Sequence, residues 1–347
     1  MSNTGTNKSS KRLGCITVFL LVLLCASLLF NLLLIGFKNA RKIGGAHHGL
    51  LSATPRAPEF DEETVVNSTS STSDKIALIT MRGLISTSIS GSLGETMVDD
   101  LKIALQQAVD DKNVKAIVFY VDSPGGEVTA SDMIYDAVRR AREKKPVVIY
   151  MGSTAASGGY YVSCAGSWLM ANETTITGSI GVIIETLNYQ SLLGKIGVQT
   201  VVFKSGQFKD ILSGSRPMTD EEKAYIQNLV MQTYDKFFNI VATERAIPAD
   251  QLHAIADGRI LSGKDALANK LVNQLGQIED AYKKARDLGH APDAAVIRYE
   301  AGFHLGRMFK IFGKSESTKV EIGGVAERLL PQLEAGKLYL LPSFYAQ

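Results

Sequence analysis

Two almost unbroken apolar runs, Val114–Val121 and Val147–Met151, stand on either side of a segment with a different rhythm. A strand that faces water on one side alternates apolar with polar residues, so a run without alternation implies a strand covered on both faces. Between the two runs, Ala130, Met133, Ile134, Ala137, Val138 and Ala141 recur at i, i+3 and i+4, which is one stripe of a helix, and Lys144-Lys145-Pro146 stops it. Strand, helix and strand in that order predict α/β layering, with parallel strands beneath helices. Ile76–Met81, Ser167–Met170 and Val198–Phe203 read as further strands and Met97–Val109 as a helix. Thr219-Asp-Glu-Glu222 is a capping box that opens a long helix with Ile226, Leu229, Val230, Thr233, Phe237, Ile240 and Val241 on its inner face. Ser262-Gly-Lys-Asp265 caps a second helix, and Ile278–Leu288 forms a third.

Ahead of this body, Ile16–Phe37 carries no charged residue. At about 1.5 Å per residue it reaches about 33 Å, enough for a bilayer core of about 30 Å. The apolar part of a cleavable signal peptide is only about 7–15 residues, so the expectation is an uncleaved anchor behind a short segment, residues 1–15. Lys8, Lys11 and Arg12 precede it, and Lys38, Arg41 and Lys42 follow it, so flanking charge sets no orientation. Residues 38–74, with the cluster Asn67-Ser-Thr-Ser-Ser-Thr-Ser73, read as a flexible tether, residues 75–300 as the folded domain and 301–347 as a tail. Within the tail, the aromatic and basic stretch Phe303–Lys314 suits a membrane surface or the edge of its own domain.

A formal charge of +2 on 347 residues gives no electrostatic footprint for nucleic acid. Of the three cysteines, Cys15 and Cys25 belong to the apolar N-terminal region and Cys164 stands alone in the body. That leaves neither a disulfide inside the domain nor a metal-type spacing. The five histidines are scattered, and none lies in a glycine-rich loop.

The stretch Met151-Gly-Ser-Thr-Ala-Ala-Ser-Gly-Gly-Tyr-Tyr161 carries the chemistry. It places Ser157 at a strand-to-helix turn, where backbone N–H groups at the helix start can stabilise developing negative charge. Gly158-Gly159 leaves room for a peptide backbone. A serine nucleophile needs a base, and without a nearby histidine a neutral lysine can serve, since burial lowers a lysine pKa by up to about 3–5 units. Lys209 lies in the polar loop Lys204–Ile211 after the expected strand Val198–Phe203, with Lys204 as its rival. Gly125-Gly126, at the end of the Val114–Val121 strand, can offer amides to an oxyanion, and Ser179 can hold a lysine amine. Each also has a plain reading: a solvated loop lysine, an ordinary turn, a satisfied loop hydroxyl.

Asp122-Ser-Pro-Gly-Gly126, Ala156-Ser-Gly-Gly-Tyr-Tyr161, Thr177-Gly-Ser-Ile-Gly-Val182 and Ser205-Gly-Gln-Phe-Lys-Asp210 together resemble the signal peptide peptidase A family of bacterial membrane-anchored Ser–Lys proteases. Gly258–Gly263 and Leu271–Gly276 are similar to that family as well, and the resemblance covers about Lys75–Leu288. It implies a Clp protease/crotonase-like fold of repeated ββα units behind one N-terminal transmembrane helix. It also implies Ser157 as nucleophile, Lys209 as general base and Ser179 as the group that orients it. Gly125 or Gly126, with the N–H of Gly158, would form the oxyanion hole. No cofactor and no metal are implied. The substrates would be apolar peptides left in the membrane by signal-peptide removal, and the catalytic domain would lie outside the cytoplasm on a single-pass anchor with a cytoplasmic N-terminus. Each motif occurs once, which matches the short form that is expected to assemble as a homo-oligomeric ring. Three other readings compete: acyl-CoA chemistry on the same fold, in which the glycine amides polarise a thioester, a related Ser–Lys membrane protease with a different protein substrate, and a membrane scaffold with a relict site.

Overall fold

The computed structural model describes residues 60–89, 96–301 and 339–340. In chain order its first elements are β1 (Asp61–Val66), β2 (Lys75–Arg82), α1 (Met97–Asp110), β3 (Val114–Ser123), β4 (Gly126–Glu127), α2 (Val128–Arg142), β5 (Val147–Ala156) and α3 (Gly158–Ser163). Next come β6 (Trp168–Ala171), β7 (Ile176–Gly178), α4 (Gln190–Lys195) and a 3-10 turn (Gln207–Asp210). The last are α5 (Asp220–Arg245), α6 (Ala249–His253), β8 (Ile260–Ser262), α7 (Gly263–Ala268), β9 (Gln274–Leu275), α8 (Ile278–Leu288), β10 (Ala295–Glu300) and β11 (Tyr339–Leu340). The expected anchor, Ile16–Phe37, and the stretch Phe303–Lys314 lie outside the described residues. Among the described residues no helix is long and apolar enough to cross a membrane.

The main sheet runs β1-β10-β2-β3-β5-β6-β9. Every neighbouring pair from β10 to β9 is parallel, and β1 pairs antiparallel with β10. The unbroken apolar runs have the cause expected of them. Alternate residues of β2, β3 and β5 enter different cores: Ala77, Ile79, Met81, Ile117, Phe119, Val121, Ile149 and Met151 pack with α1, α2 and α3. Ile76, Leu78, Ala116, Val118, Val148 and Tyr150 pack with Ala281, Tyr282 and Ala285 of α8 on the opposite face. With both faces covered, a polar side chain at one of these core positions would be buried without a partner.

Two segments differ from the sequence reading. Residues 61–66, expected within a tether, form edge strand β1, with Asp61 opposite Glu300 and Thr64 opposite Ile297. The strand is acidic and exposed, held by ion pairs Glu62–Lys75 and Glu63–Arg298, and charge on an edge discourages pairing with other chains. Val198–Phe203 is not a strand: it is irregular and open to solvent, with Phe203 96% exposed. Its apolar content reads as a buried strand, but no part of its own described chain covers it. The long helix α5 begins at the predicted cap, where the Thr219 hydroxyl accepts from the Glu222 N–H and the Glu222 carboxylate accepts from the Thr219 N–H. Its buried apolar residues are Phe237, Phe238 and Val241, all in its second half.

Candidate active site

Strand β5 delivers Ser157. Its lower half pairs with β6 and its last three residues with β7, ending at the pair Ala156–Gly178. Ser157 and Ser179 each follow that pair, so two parallel strands about 4.8 Å apart hand over two serines side by side. Both leave their strands with positive φ, 51° for Ser157 and 52° for Ser179. Non-glycine residues avoid that region at a cost of about 1–3 kcal/mol, so the surroundings must impose it. The Ser157 N–H donates to the Gly178 carbonyl at 2.8 Å, and the Ser157 carbonyl accepts from the Tyr161 N–H at 2.8 Å, the first turn of α3. The Ser179 N–H donates to the Arg259 carbonyl at 2.8 Å. Both serines are buried, Ser157 completely, and the Ser157 Oγ has no hydrogen-bond partner among the described residues.

The helix after Ser157 is anchored by its two tyrosines. The Tyr160 hydroxyl donates to the Leu271 carbonyl at 2.9 Å, and the Tyr161 hydroxyl donates to Asp132 of α2 at 2.7 Å. Tyr161 also packs against Tyr135 and Phe237, at ring separations of 5.4 and 5.1 Å. One turn further, Cys164 is fully buried, and loss of solvent pushes its thiol up to about 12. It stays protonated near neutrality and is no rival nucleophile.

Glycines 125, 126 and 158 meet backbone to backbone. A Cβ at Gly158 would lie 3.1 Å from the Gly125 Cα and 3.2 Å from the Gly126 nitrogen. Gly125 has φ 106°, and a Cβ there would lie 2.6 Å from the Gly158 nitrogen. Only residues without a side chain permit this approach. Of the two glycines left open as an oxyanion donor, Gly125 gives its N–H to the Ser123 hydroxyl at 3.1 Å. Gly126 is the better placed. On one edge of β4, Ile85 takes the Gly125 carbonyl and the Glu127 N–H. By strand alternation the Gly126 N–H then points to the other edge.

That edge is occupied by the chain's own β11. Leu340 pairs antiparallel with Gly126 and Tyr339 with Glu127. The Leu340 side chain is completely buried, and its carbonyl oxygen lies within 2.0 Å of where a Gly125 Cβ would be. A peptide backbone therefore runs along β4 past the glycine amides.

Lys209 lies elsewhere. It belongs to the exposed 3-10 turn, on an arm between β7 and α5 that exposes Leu187, Val201 and Phe203. Its ammonium has no partner among the described residues, and no Ser157–Lys209 contact is present among them. The rival Lys204 is tied up: its Nζ donates to Asp210 Oδ1 at 2.7 Å and to the Gln207 carbonyl at 3.0 Å. Sequence reasoning missed Ser123, Ser131 and the Leu340 strand. No local pattern marks a hydroxyl that orients a loop amide, and β11 meets β4 from more than two hundred residues away. No group of His, Cys, Asp and Glu among the described residues could hold a metal ion.

The sequence profile of peptidase family S49 matches residues 139–291, and that of Clp protease matches residues 71–175. A candidate signal peptide peptidase SppA of Enterococcus faecium is 38% identical over 70% of this chain and 71% of its own length. A candidate protease of Synechocystis is 39% identical over 65% of this chain and 79% of its own. A candidate protease of Methanocaldococcus jannaschii is 39% identical over 58% of this chain, which spans 63% of that relative's length.

Proposed function

Since the chain belongs to peptidase family S49 and is a serine peptidase, we propose that it is a membrane-anchored endopeptidase in which Ser157 of one copy is activated by Lys209 of a neighbouring copy. The observation that carries this reading is the peptide backbone of Leu340 on β4, with its carbonyl beside the glycine amides that adjoin Ser157. Neutral Lys209 takes the Ser157 proton as Oγ attacks a peptide carbonyl. The N–H groups of Gly126 and Gly158 receive the oxyanion. The protonated lysine then gives its proton to the leaving amine, and water activated by the same lysine hydrolyses the acyl-enzyme. Ser179, beside Ser157 at the end of β7, would accept from the incoming ammonium and orient it.

The assembly follows from the missing base. The Ser157 hydroxyl has no partner in its own described chain, and Lys209 projects on an arm whose apolar residues are open to solvent. A closed ring of copies would cover that apolar surface and bring the lysine to the next copy's elbow. The buried Leu340 side chain supports apolar peptides as substrates, and the uncharged Ile16–Phe37 supports a site held close to a bilayer.

Coexpressed Ser157→Ala and Lys209→Ala chains, each inactive alone, test it. In a ring that pairs Ser157 of one copy with Lys209 of the next, random mixing leaves about a quarter of the sites intact, one half times one half. No recovered activity from mixed rings would place both groups in one chain, and activity in Lys209→Ala alone would remove it as the base.

A further inference from the structure

The Lys209 turn is held by one guanidinium. Arg216 lies between the turn and the capped start of α5, and it forks onto two carboxylates. Its Nε donates to Asp210 Oδ2 at 2.9 Å and its Nη2 to Asp210 Oδ1 at 2.7 Å. Its Nη1 donates to Glu222 Oε2 at 2.9 Å, and its Nη2 to Glu222 Oε1 at 2.5 Å. The remaining Nη1 proton goes to the Pro217 carbonyl at 3.0 Å. Every donor of the guanidinium is thus engaged, and both carboxylates are gripped bidentately.

The two acids are not surface decoration. Asp210 is the residue next to Lys209, and its carboxylate also receives the Lys204 ammonium. Glu222 is buried and completes the capping box that starts α5. Around them the turn has only weak attachments: Phe208 stacks on Tyr225 at 5.4 Å, and Gln207 donates to Glu221 at 2.8 Å. Two carboxylates and two cations cancel, so the clamp adds no net charge beside Lys209. The Arg216 hydrogen bonds lead in holding Asp210 well below the usual carboxylate range and Glu222 at about 2. Both acids are therefore ionised throughout the neutral and alkaline range in which a lysine base operates.

We infer that Arg216 is a positioning residue for the peptidase reaction, fixing the Lys209 turn on the capped end of α5 so that the amine reaches a neighbouring nucleophile at a set place. The inference rests on Lys209 being the base. Lysine in place of Arg216 keeps the charge but cannot fork onto two carboxylates. A displacement of about 1 Å at a catalytic group costs about a hundredfold in rate. Substrate binding, on β4 of the body, lies outside the clamp.

Full-length R216Q, R216K, K209A and the R216Q/D210N pair, assayed in detergent on an apolar fluorogenic peptide, test this. The expected result for R216Q is a kcat lower by about 10–100-fold with KM within about threefold. R216K keeps most of that loss at an unchanged Tm, and D210N on top of R216Q adds less than about twofold, because the two side chains act as one unit. Wild-type kcat in R216Q beside an inactive K209A overturns the role of Arg216 alone. Full rescue by R216K also overturns it, since charge without the fork would then suffice, and so do additive losses in the pair. An active K209A removes the base itself and with it this inference. If R216Q does not melt cooperatively, R216K decides by the same kcat criterion.

Discussion

Replacing Gly158 by alanine separates the stability of the elbow from its chemistry. The backbone at Gly158 opens α3 without a positive φ, so alanine is conformationally acceptable there and favours a helix by about 0.5–1 kcal/mol. The added methyl meets three atoms. The nearest, Ser131 Oγ at 2.5 Å, belongs to a side chain that donates to the Glu127 carbonyl at 2.9 Å. Rotating it away loses a buried hydrogen bond of about 1 kcal/mol. The other two, the Gly125 Cα at 3.1 Å and the Gly126 nitrogen at 3.2 Å, are backbone and can only move apart.

Overpacking of this kind costs about 1–3 kcal/mol, so the net loss of stability after the helix gain is about 1–2 kcal/mol. The larger effect falls on catalysis, because the methyl wedges apart the two amides assigned to the oxyanion. Complete loss of one such donor lowers kcat by about 10²–10³-fold, and partial displacement is expected to cost about 10–100-fold with KM little changed. Steady-state kinetics on an apolar fluorogenic peptide, beside thermal unfolding, reads both quantities. Adding Ser131→Ala removes the 2.5 Å contact but leaves the backbone ones. It should return part of the stability and none of the rate. Wild-type kcat in Gly158→Ala would refute the amide assignment, and recovery of kcat by Ser131→Ala would show that the lesion acts through Ser131.

Two further outcomes follow from other contacts. Ending the chain before Tyr339 vacates the edge of β4, and an intramolecular competitor acts at an effective concentration of about millimolar, so apparent KM for a peptide should fall severalfold at constant kcat; a steady-state comparison showing no change would mean that β11 does not compete. Arg142 forks onto Glu244 at 2.7 and 3.1 Å, with the Tyr135 hydroxyl at 2.9 Å, tying α2 to α5. Glu244→Gln should cost about 1–2 kcal/mol in thermal or denaturant unfolding. Burial acts to raise that carboxyl, but the bonds from Arg142 and Tyr135 outweigh it and hold it below the usual range. Its contribution is then present above the ordinary glutamate pKa and lost as pH falls through the folded value, so the variant should show a flatter acid limb of stability; equal acid limbs would refute the coupling.

The body was legible where its signals are local. Unbroken apolar runs gave β3 and β5, capping boxes gave the starts of α5 and α7, and the small residues after Met151 gave the turn at Ser157. What could not be read depends on partners distant in sequence. β1 is acidic and looks like linker because its strand neighbour among the described residues, β10, lies more than two hundred residues on. Gly125 and Gly126 are equivalent as letters, and it is the Ser123 hydroxyl and the Ile85 pairing that distinguish their N–H groups. Val198–Phe203 misled because continuous apolar sequence means covered surface, and sequence does not say covered by which chain.

That last error bears on the chemistry. A lysine acts as a base only where its ammonium is stripped of water. The elbow at Ser157 already has a dry environment, with a strained backbone held by β7 and α3 and a hydroxyl lacking a partner. The arm that carries Lys209 has the opposite character: exposed and apolar, yet internally stiffened at one turn by Arg216. In the proposed ring, the surface that drives association and the base that completes the dyad belong to one arm, so covering Leu187, Val201 and Phe203 and desolvating Lys209 happen together. A lone copy would then hold a nucleophile without a base, and peptide-bond hydrolysis would begin only where copies have met.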